Sequence, residues 1–203
     1  MEGSRPPVKE TIEFARIVAF TDGVFAIAIT ILVLGIDVPE ELPAPDLHDF
    51  LVDEWPQLFA YFLSFAVIGR HWVAHHHVFG MLQNFDQRLM ALNLVYLSLV
   101  VLIPFPTNLL GQYGSEPDAV VLYAFVIATS SLLSWLMLRY SLAREHIHPD
   151  SVRAAQLASA ATLHPAVVFY LSIPVALVSP LAAQLSWLLL IAFGWQERRA
   201  RRT

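Results

Sequence analysis

Apolar runs dominate this chain, and the points where polar residues interrupt them divide it into six segments. A bilayer core about 30 Å thick takes roughly 20 mostly apolar residues in a helix rising about 1.5 Å per residue. Runs of that kind predict spans over about 12–36, 55–77, 88–110, 118–140, 153–177 and 181–196. The second opens on Trp55-Pro56, and proline suits a first helical turn. The third and fourth are bounded by charge and parted by Gly-Gln-Tyr-Gly-Ser-Glu-Pro-Asp, a turn sequence at 111–118. Between Arg153 and Glu197 no charged residue occurs for 43 positions, twice the length of a span, and Pro174 and Pro180 supply the break into a fifth and a sixth. The longest loop, 37–54, has only about 18 residues, so the expected organisation is one all-α domain over 1–203 with six transmembrane helices.

Within the first segment, residues three and four apart share a helical face, which lines up Ile27, Thr30, Ile31 and Leu34 below Phe20. One hydroxyl among branched aliphatics fits a packing seam, with Thr30 bonding its own backbone carbonyl four residues back. Asp22 is the stronger signal. Ionisable groups inside a span are costly unless paired, and by default they mark a functional or networked site. Candidate partners on neighbouring spans are Trp72, His75 and Asn93. Arg16 lies six residues before Asp22, off its helical face, so it reaches Asp22 only around the helix or across to a neighbour.

Composition agrees with the pattern: of 203 residues, 57% are hydrophobic and 14% charged, against roughly 25% charged in soluble domains. The absence of cysteine excludes disulfides, thiolate zinc sites and cysteine nucleophiles. The N-terminus lacks the basic, apolar and small-residue order of a cleaved signal peptide, so the first helix is expected to stay. Cations then set the orientation, since Lys and Arg remain on the cytoplasmic side. All twelve fall on one side: Arg5, Lys9 and Arg16; Arg70 and Arg88 around the 2–3 loop; Arg139, Arg144 and Arg153 around the 4–5 loop; Arg198, Arg199, Arg201 and Arg202 in the tail. Both termini are expected in the cytoplasm, with the protein in the cell membrane. The opposite loops hold Asp37, Glu40, Glu41, Asp46, Asp49, Asp53, Glu54, Glu116 and Asp118 and no cation. That acidic face suits the mouth of a cation path, and it equally suits acids tolerated where arginine is not. A net charge of −5 argues against a nucleic-acid partner.

Arg16, Phe20, Thr21 and Asp22 form R-x-x-x-F-T-D, followed by G-V-F-A-I-A-I-T-I-L-V-L. This resembles the R-x-x-x-F-S-D signature that opens the first helix of the transmembrane-protein-175 potassium channels. "SFAVIGRHWVAHHHVF" (64–79) resembles that family's second helix with its W-x-x-H element, here Trp72 and His75. "LNLVYLSLVVLIPFPTNLLG" (92–111) resembles its third, with Asn93 near the start. The motifs cover about 13–111, and the rest agrees by span count. Thr21 departs from the usual serine but keeps the hydroxyl.

The resemblance implies a homotetramer in which the first helices line a central pore without a carbonyl filter, and the chain contains no T-V-G-Y-G. Carried over by position, Ile27 forms a hydrophobic constriction, Ile31 and Leu34 further rings, and Thr30 a hydroxyl ring. Arg16, Phe20, Thr21, Asp22, Trp72, His75 and Asn93 form a polar network holding the first helix. Potassium is then the permeant ion, membrane lipids surround the assembly, and no cofactor, metal or enzymatic activity is expected. A ring of isoleucines gates by dewetting, and selectivity rests on pore diameter and sparse dipoles.

Two other readings remain. His71, His75, His76 and His77 place His71 and His75 at the i, i+4 spacing of zinc ligands, but without the glutamate of H-E-x-x-H. A proton-coupled small transporter would use Asp22 and His75 as a relay, although the two halves show no sequence repeat. His164-Pro165 reads as a kink with a satisfied histidine, and Arg-Arg-Ala-Arg-Arg (198–202) as an anionic-lipid contact.

Overall fold

The structure, a computed structural model, describes residues 8–37 and 43–188. Eight α-helices run through these residues: α1 (Val8–Ile31), α2 (Leu47–Asp53), α3 (Trp55–Gly80), α4 (Gln87–Leu102), α5 (Pro104–Gln112), α6 (Pro117–Ala143), α7 (Val152–Ala176) and α8 (Pro180–Ser186). Among the described residues, four segments are long and apolar enough to cross a membrane: Glu13–Gly35, Gln87–Gln112, Pro117–Ala143 and Pro149–Ala176. α3 has the length for it with 26 residues, but it carries Arg70 and four histidines. The sixth expected span continues past the described residues, as do the tail arginines, Arg5, Glu40 and Glu41.

The observed boundaries differ from the sequence reading at points with clear physical causes. The third span is two helices, because Pro104 lacks the N–H that would bond Val100, and the chain turns at Ile103 before α5 begins. α1 tightens into a 3-10 turn over Leu32–Gly35 before extended backbone at Ile36. The acidic loop contains α2, with Glu54 between it and α3. Arg70 stands well inside α3, ten residues before its end at Gly80, and not at the edge of the 2–3 loop.

α6 is the central post. It packs against α4, α5 and α7, while α1 packs on α3 and α4. Its side chains are buried nearly all round: Val120, Tyr123, Ala124, Ile127, Ala128 and Leu138 have no exposure. A helix apolar on every face is a core helix. At one end of the bundle the two connections that follow α3 and α6 join through a bridge between Leu82 and Ile147. There the backbone N–H of Gln83 donates to His146 at 2.8 Å and that of His148 to Met81 at 2.9 Å.

Candidate functional site

α1 presents two unlike faces. Thr21, Phe25, Ala28 and Leu32, spaced four, three and four apart, are buried against α3 and α4. The opposite face carries Phe20, Ile27, Thr30, Ile31 and Leu34, and it is open: Ile27 is 56%, Ile31 41% and Leu34 77% exposed. The chain's own helices leave this stripe uncovered. Thr30 lies in it with its hydroxyl donating to the backbone, 3.0 Å from the carbonyls of both Ala26 and Ile27. That leaves the oxygen lone pairs available on the open side.

The buried face is pinned by polar contacts. Thr21 and Asp22 are adjacent, about 100° apart around the helix, and they find different partners. Trp72 Nε1 on α3 donates to Asp22 Oδ1 at 2.9 Å. Thr21 Oγ1 accepts from Asn93 Nδ2 on α4 at 3.1 Å, and Asn93 Oδ1 accepts from His75 Nε2 on α3 at 2.9 Å. His75 thus ties α3 to α4, and Asn93 ties α4 to α1. Aromatic rings close round the imidazole: Phe79 at 3.8 Å between centroids, Tyr96 at 5.8 Å and Phe25 at 5.9 Å. Water is excluded, so each polar group needs the partner it has.

The structure therefore brings together Thr21, Asn93 and His75 as one chain of hydrogen bonds, and Asp22 with Trp72 as another. Asp22 and His75 do not hydrogen-bond to each other. Arg16 is exposed and makes no hydrogen bond or ion pair with Asp22 among the described residues, and Phe20 lies on the open stripe rather than in the network. Thr21 in place of serine is accommodated without exposure. Trp72 is the hydrogen-bond partner of Asp22 among the described residues, and the expected network residues Thr21, Asp22, Trp72, His75 and Asn93 stand as two hydrogen-bonded sets side by side, with Arg16 bonded to neither.

The histidine cluster resolves into separate environments. His71 Nδ1 donates to the Val67 carbonyl at 2.9 Å, and the hydroxyls of Ser130 and Ser131 on α6 lie 3.0 and 3.2 Å from its Nε2. His77 Nδ1 donates to the Val73 carbonyl at 2.7 Å, and His76 stacks on Trp72 at 5.6 Å. Both rings stack on Tyr96, but their Nε2 atoms are taken up by different helices, that of His71 by Ser130 and Ser131 on α6 and that of His75 by Asn93 on α4. Among the described residues no group of three or more His, Asp or Glu converges as a metal site would require.

Two contacts escaped the sequence reading. Ser64 Oγ, Tyr123 OH and Thr107 Oγ1 form a buried hydroxyl cluster joining α3, α6 and α5, with Thr107 donating to Ser64 at 2.7 Å. Gln57 Nε2 donates to the carbonyl of Gly35 at 2.8 Å, at the end of the turn that follows α1. Neither residue type stands out in sequence, because lone Ser, Thr and Gln residues are common in spans; their pairing depends on how helices far apart in the chain meet.

Residues 16–104 match the family model described as endosomal/lysosomal potassium channel TMEM175. A potassium channel of Streptomyces collinus is 43% identical over 124 residues, 59% of this chain and 60% of the relative. A mouse protein named endosomal/lysosomal proton channel TMEM175 is 32% identical over 141 residues, 58% of this chain and 28% of the relative. The chain thus spans 60% of the length of the first relative and 28% of the second. The crystal structure of a lysosomal potassium-selective channel TMEM175 homolog from Chamaesiphon minutus superposes with a TM-score of 0.79 at 28% identity, covering 91% of this chain and 97% of that one. The matched residues contain the whole of the α1 stripe, the Thr21–Asn93–His75 chain and the Asp22–Trp72 pair, and over residues 16–104 the chain matches the TMEM175 family.

Proposed function

We propose that this chain is the subunit of a potassium-permeable cation channel: a homotetramer of six-span subunits, each a single domain over 1–203, with α1 lining a central pore. The observation that carries the reading is the open stripe of α1, where Ile27, Ile31 and Leu34 are left uncovered while the same helix is held on its other side by the buried Asn93–Thr21 hydrogen bond and by the Trp72–Asp22 bond beside it. Copies of one chain meeting around an axis bury such a stripe on itself and form rings from each position. The Ile27 ring then makes the constriction, Ile31 and Leu34 the further rings, and Thr30 a ring of oxygen lone pairs facing the path. Potassium passes partly dehydrated, and the narrow apolar ring gates by loss of water. The relatives named potassium channel support the choice of ion.

In this reading both termini are cytoplasmic, the assembly sits in the cell membrane among lipids, and the protein is a passive conductor without catalytic residues or cofactor. Arg16 and Phe20 stand near the inner end of the stripe, where a neighbouring subunit reaches them.

The test is ion flux from liposomes holding the purified chain, with potassium inside and sodium outside. Potassium efflux faster than sodium efflux is expected, and Ile27→Ala widens the constriction, raising flux and lowering the preference. Currents indifferent to Ile27→Ala would remove α1 from the path. Flux that appears only with a proton gradient would point instead to a coupled transporter.

A further inference from the structure

The way the first helix ends decides where Leu34 stands. The last carbonyls of a helix have no partner within it, and in an apolar surrounding each one must be met from outside. The turn Leu32–Gly35 closes on Ile36 in extended backbone, φ −94° and ψ 106°. Its final carbonyl, that of Gly35, accepts from Gln57 Nε2 at 2.8 Å.

Gln57 belongs to the first turn of α3 and is only 7% exposed. A carbonyl accepts and never donates, so the amide nitrogen must face Gly35 and Oε1 must face away. Oε1 is buried without a hydrogen-bond partner among the described residues. It fills the space that a Cβ at Gly111 on α5 would take, and a Cβ at Gly35 would stand 3.2 Å from Asn108 Nδ2. The side chain is therefore seated between two glycines, with its oxygen orphaned. A buried orphan oxygen is destabilising, and a leucine would fill the same volume without one. What the amide supplies in return is its single bond to Gly35. Beside it runs a crevice of about 410 Å³ lined by Leu34, Gly35, Gln57, Tyr61 and Asn108.

We propose that Gln57 is a positioning residue for conduction: by holding the Gly35 carbonyl it sets the height and rotation of Leu34, and so the width of the outermost apolar ring. This rests on the pore reading above. It acts through Leu34 and touches no ion itself.

The experiment measures potassium and sodium flux separately from liposomes holding the full chain, in the wild type, Gln57→Leu, Leu34→Ala, the double variant and Ile27→Ala. Gln57→Leu is expected to shift the potassium-to-sodium flux ratio about two- to ten-fold, the range set by one hydrogen bond. In the Leu34→Ala background it should add no further shift, because the ring it positions is gone. An unchanged ratio in Gln57→Leu, or an equal further shift in that background, overturns the proposal. Should Gln57→Leu not assemble, Gln57→Met keeps the length and nearly the volume, carries no N–H or O–H donor for the carbonyl and is expected to give the same shift. Failure of both to assemble also overturns a positioning role in favour of a purely structural one. If Ile27→Ala leaves flux unchanged, the pore reading fails; if Ile27→Ala alters it while Gln57→Leu does not, only the role of Gln57 fails.

Discussion

Thr21 and Asp22 have opposite claims on the first helix, one facing α4 and the other α3, and together they fix its rotation about its own axis. Rotation by one residue would bring the open stripe inward and the polar pair into lipid. Interhelical hydrogen bonds in membranes average about 0.6 kcal/mol, with about 1.7 at most. No single bond holds α1, and the two contacts at one level act jointly. Asp22→Asn keeps an acceptor for Trp72 Nε1 and is expected to assemble nearly as the wild type does. Asp22→Ala removes it, with a loss of about 1 kcal/mol and a reduced yield of assembled protein. Thermal unfolding in detergent, read with size-exclusion chromatography, separates the two, and an Ala variant as stable as the Asn variant would contradict the anchoring role. The sequence picked out these residues but not their pairing, because adjacency along the chain says nothing about which neighbouring helix each side chain meets.

At the scale of elements, α7 carries Pro165 inside its length, and a proline cannot donate to the carbonyl four residues back, here Ala161. The guanidinium of Arg70 on α3 donates to that carbonyl at 3.3 Å. Arg70 lies ten residues from the end of α3, about 15 Å along the axis. The guanidinium thus supplies the donor that proline withholds from this carbonyl. The coupling has a definite signature in a double-mutant cycle. Arg70→Leu should destabilise the wild type by about 1–2 kcal/mol. In Pro165→Ala, where residue 165 regains an N–H for Ala161, the same substitution should cost less. Equal costs in the two backgrounds, measured by thermal unfolding, would mean that Arg70 serves something else. In the sequence Arg70 falls inside the expected 55–77 span and counts only as a cation on the side of the 2–3 loop, because nothing along the chain shows that the Ala161 carbonyl lies beside it.

For the whole molecule, the clip between the connections after α3 and after α6 ties the half bearing α1 to the half built on α6 and α7. Asp86 is its hub: Oδ1 caps α4 by accepting from the Leu89 N–H at 2.7 Å, and Oδ2 accepts from Tyr140 OH at 2.6 Å and His146 Nε2 at 3.2 Å. The Tyr140 hydroxyl, with help from the Leu89 N–H and from His146, holds this carboxyl well below the usual carboxylate range, at about 2. A depressed value means that the contribution is complete above the unfolded value of about 4 and is lost as pH falls towards 2. Because the carboxylate is partly open to solvent, its worth is on the order of 1 kcal/mol. Thermal midpoints taken from pH 6 down to pH 2 should therefore fall more steeply for the wild type than for Asp86→Asn, the two converging at the acid end. Parallel curves would show that the clip does not depend on this charge.

The sequence by itself determined the membrane character of this protein, the position of most of its helices, and the residues of α1 that carry its identity. These follow from local facts: apolar run length, proline placement and the 3.6-residue period. Even the separation of Ile27, Ile31 and Leu34 from Phe25, Ala28 and Leu32 is a matter of spacing along one helix. Only the tertiary structure decided which of those faces is buried, that Asp22 takes Trp72 while His75 and Asn93 serve Thr21, and that Gln57 and Arg70 answer carbonyls 22 and 91 residues away in the chain. The physical reason is that hydrogen-bond partners in a helical bundle are set by which helices lie side by side and at what rotation, and periodicity within one helix carries no record of its neighbour.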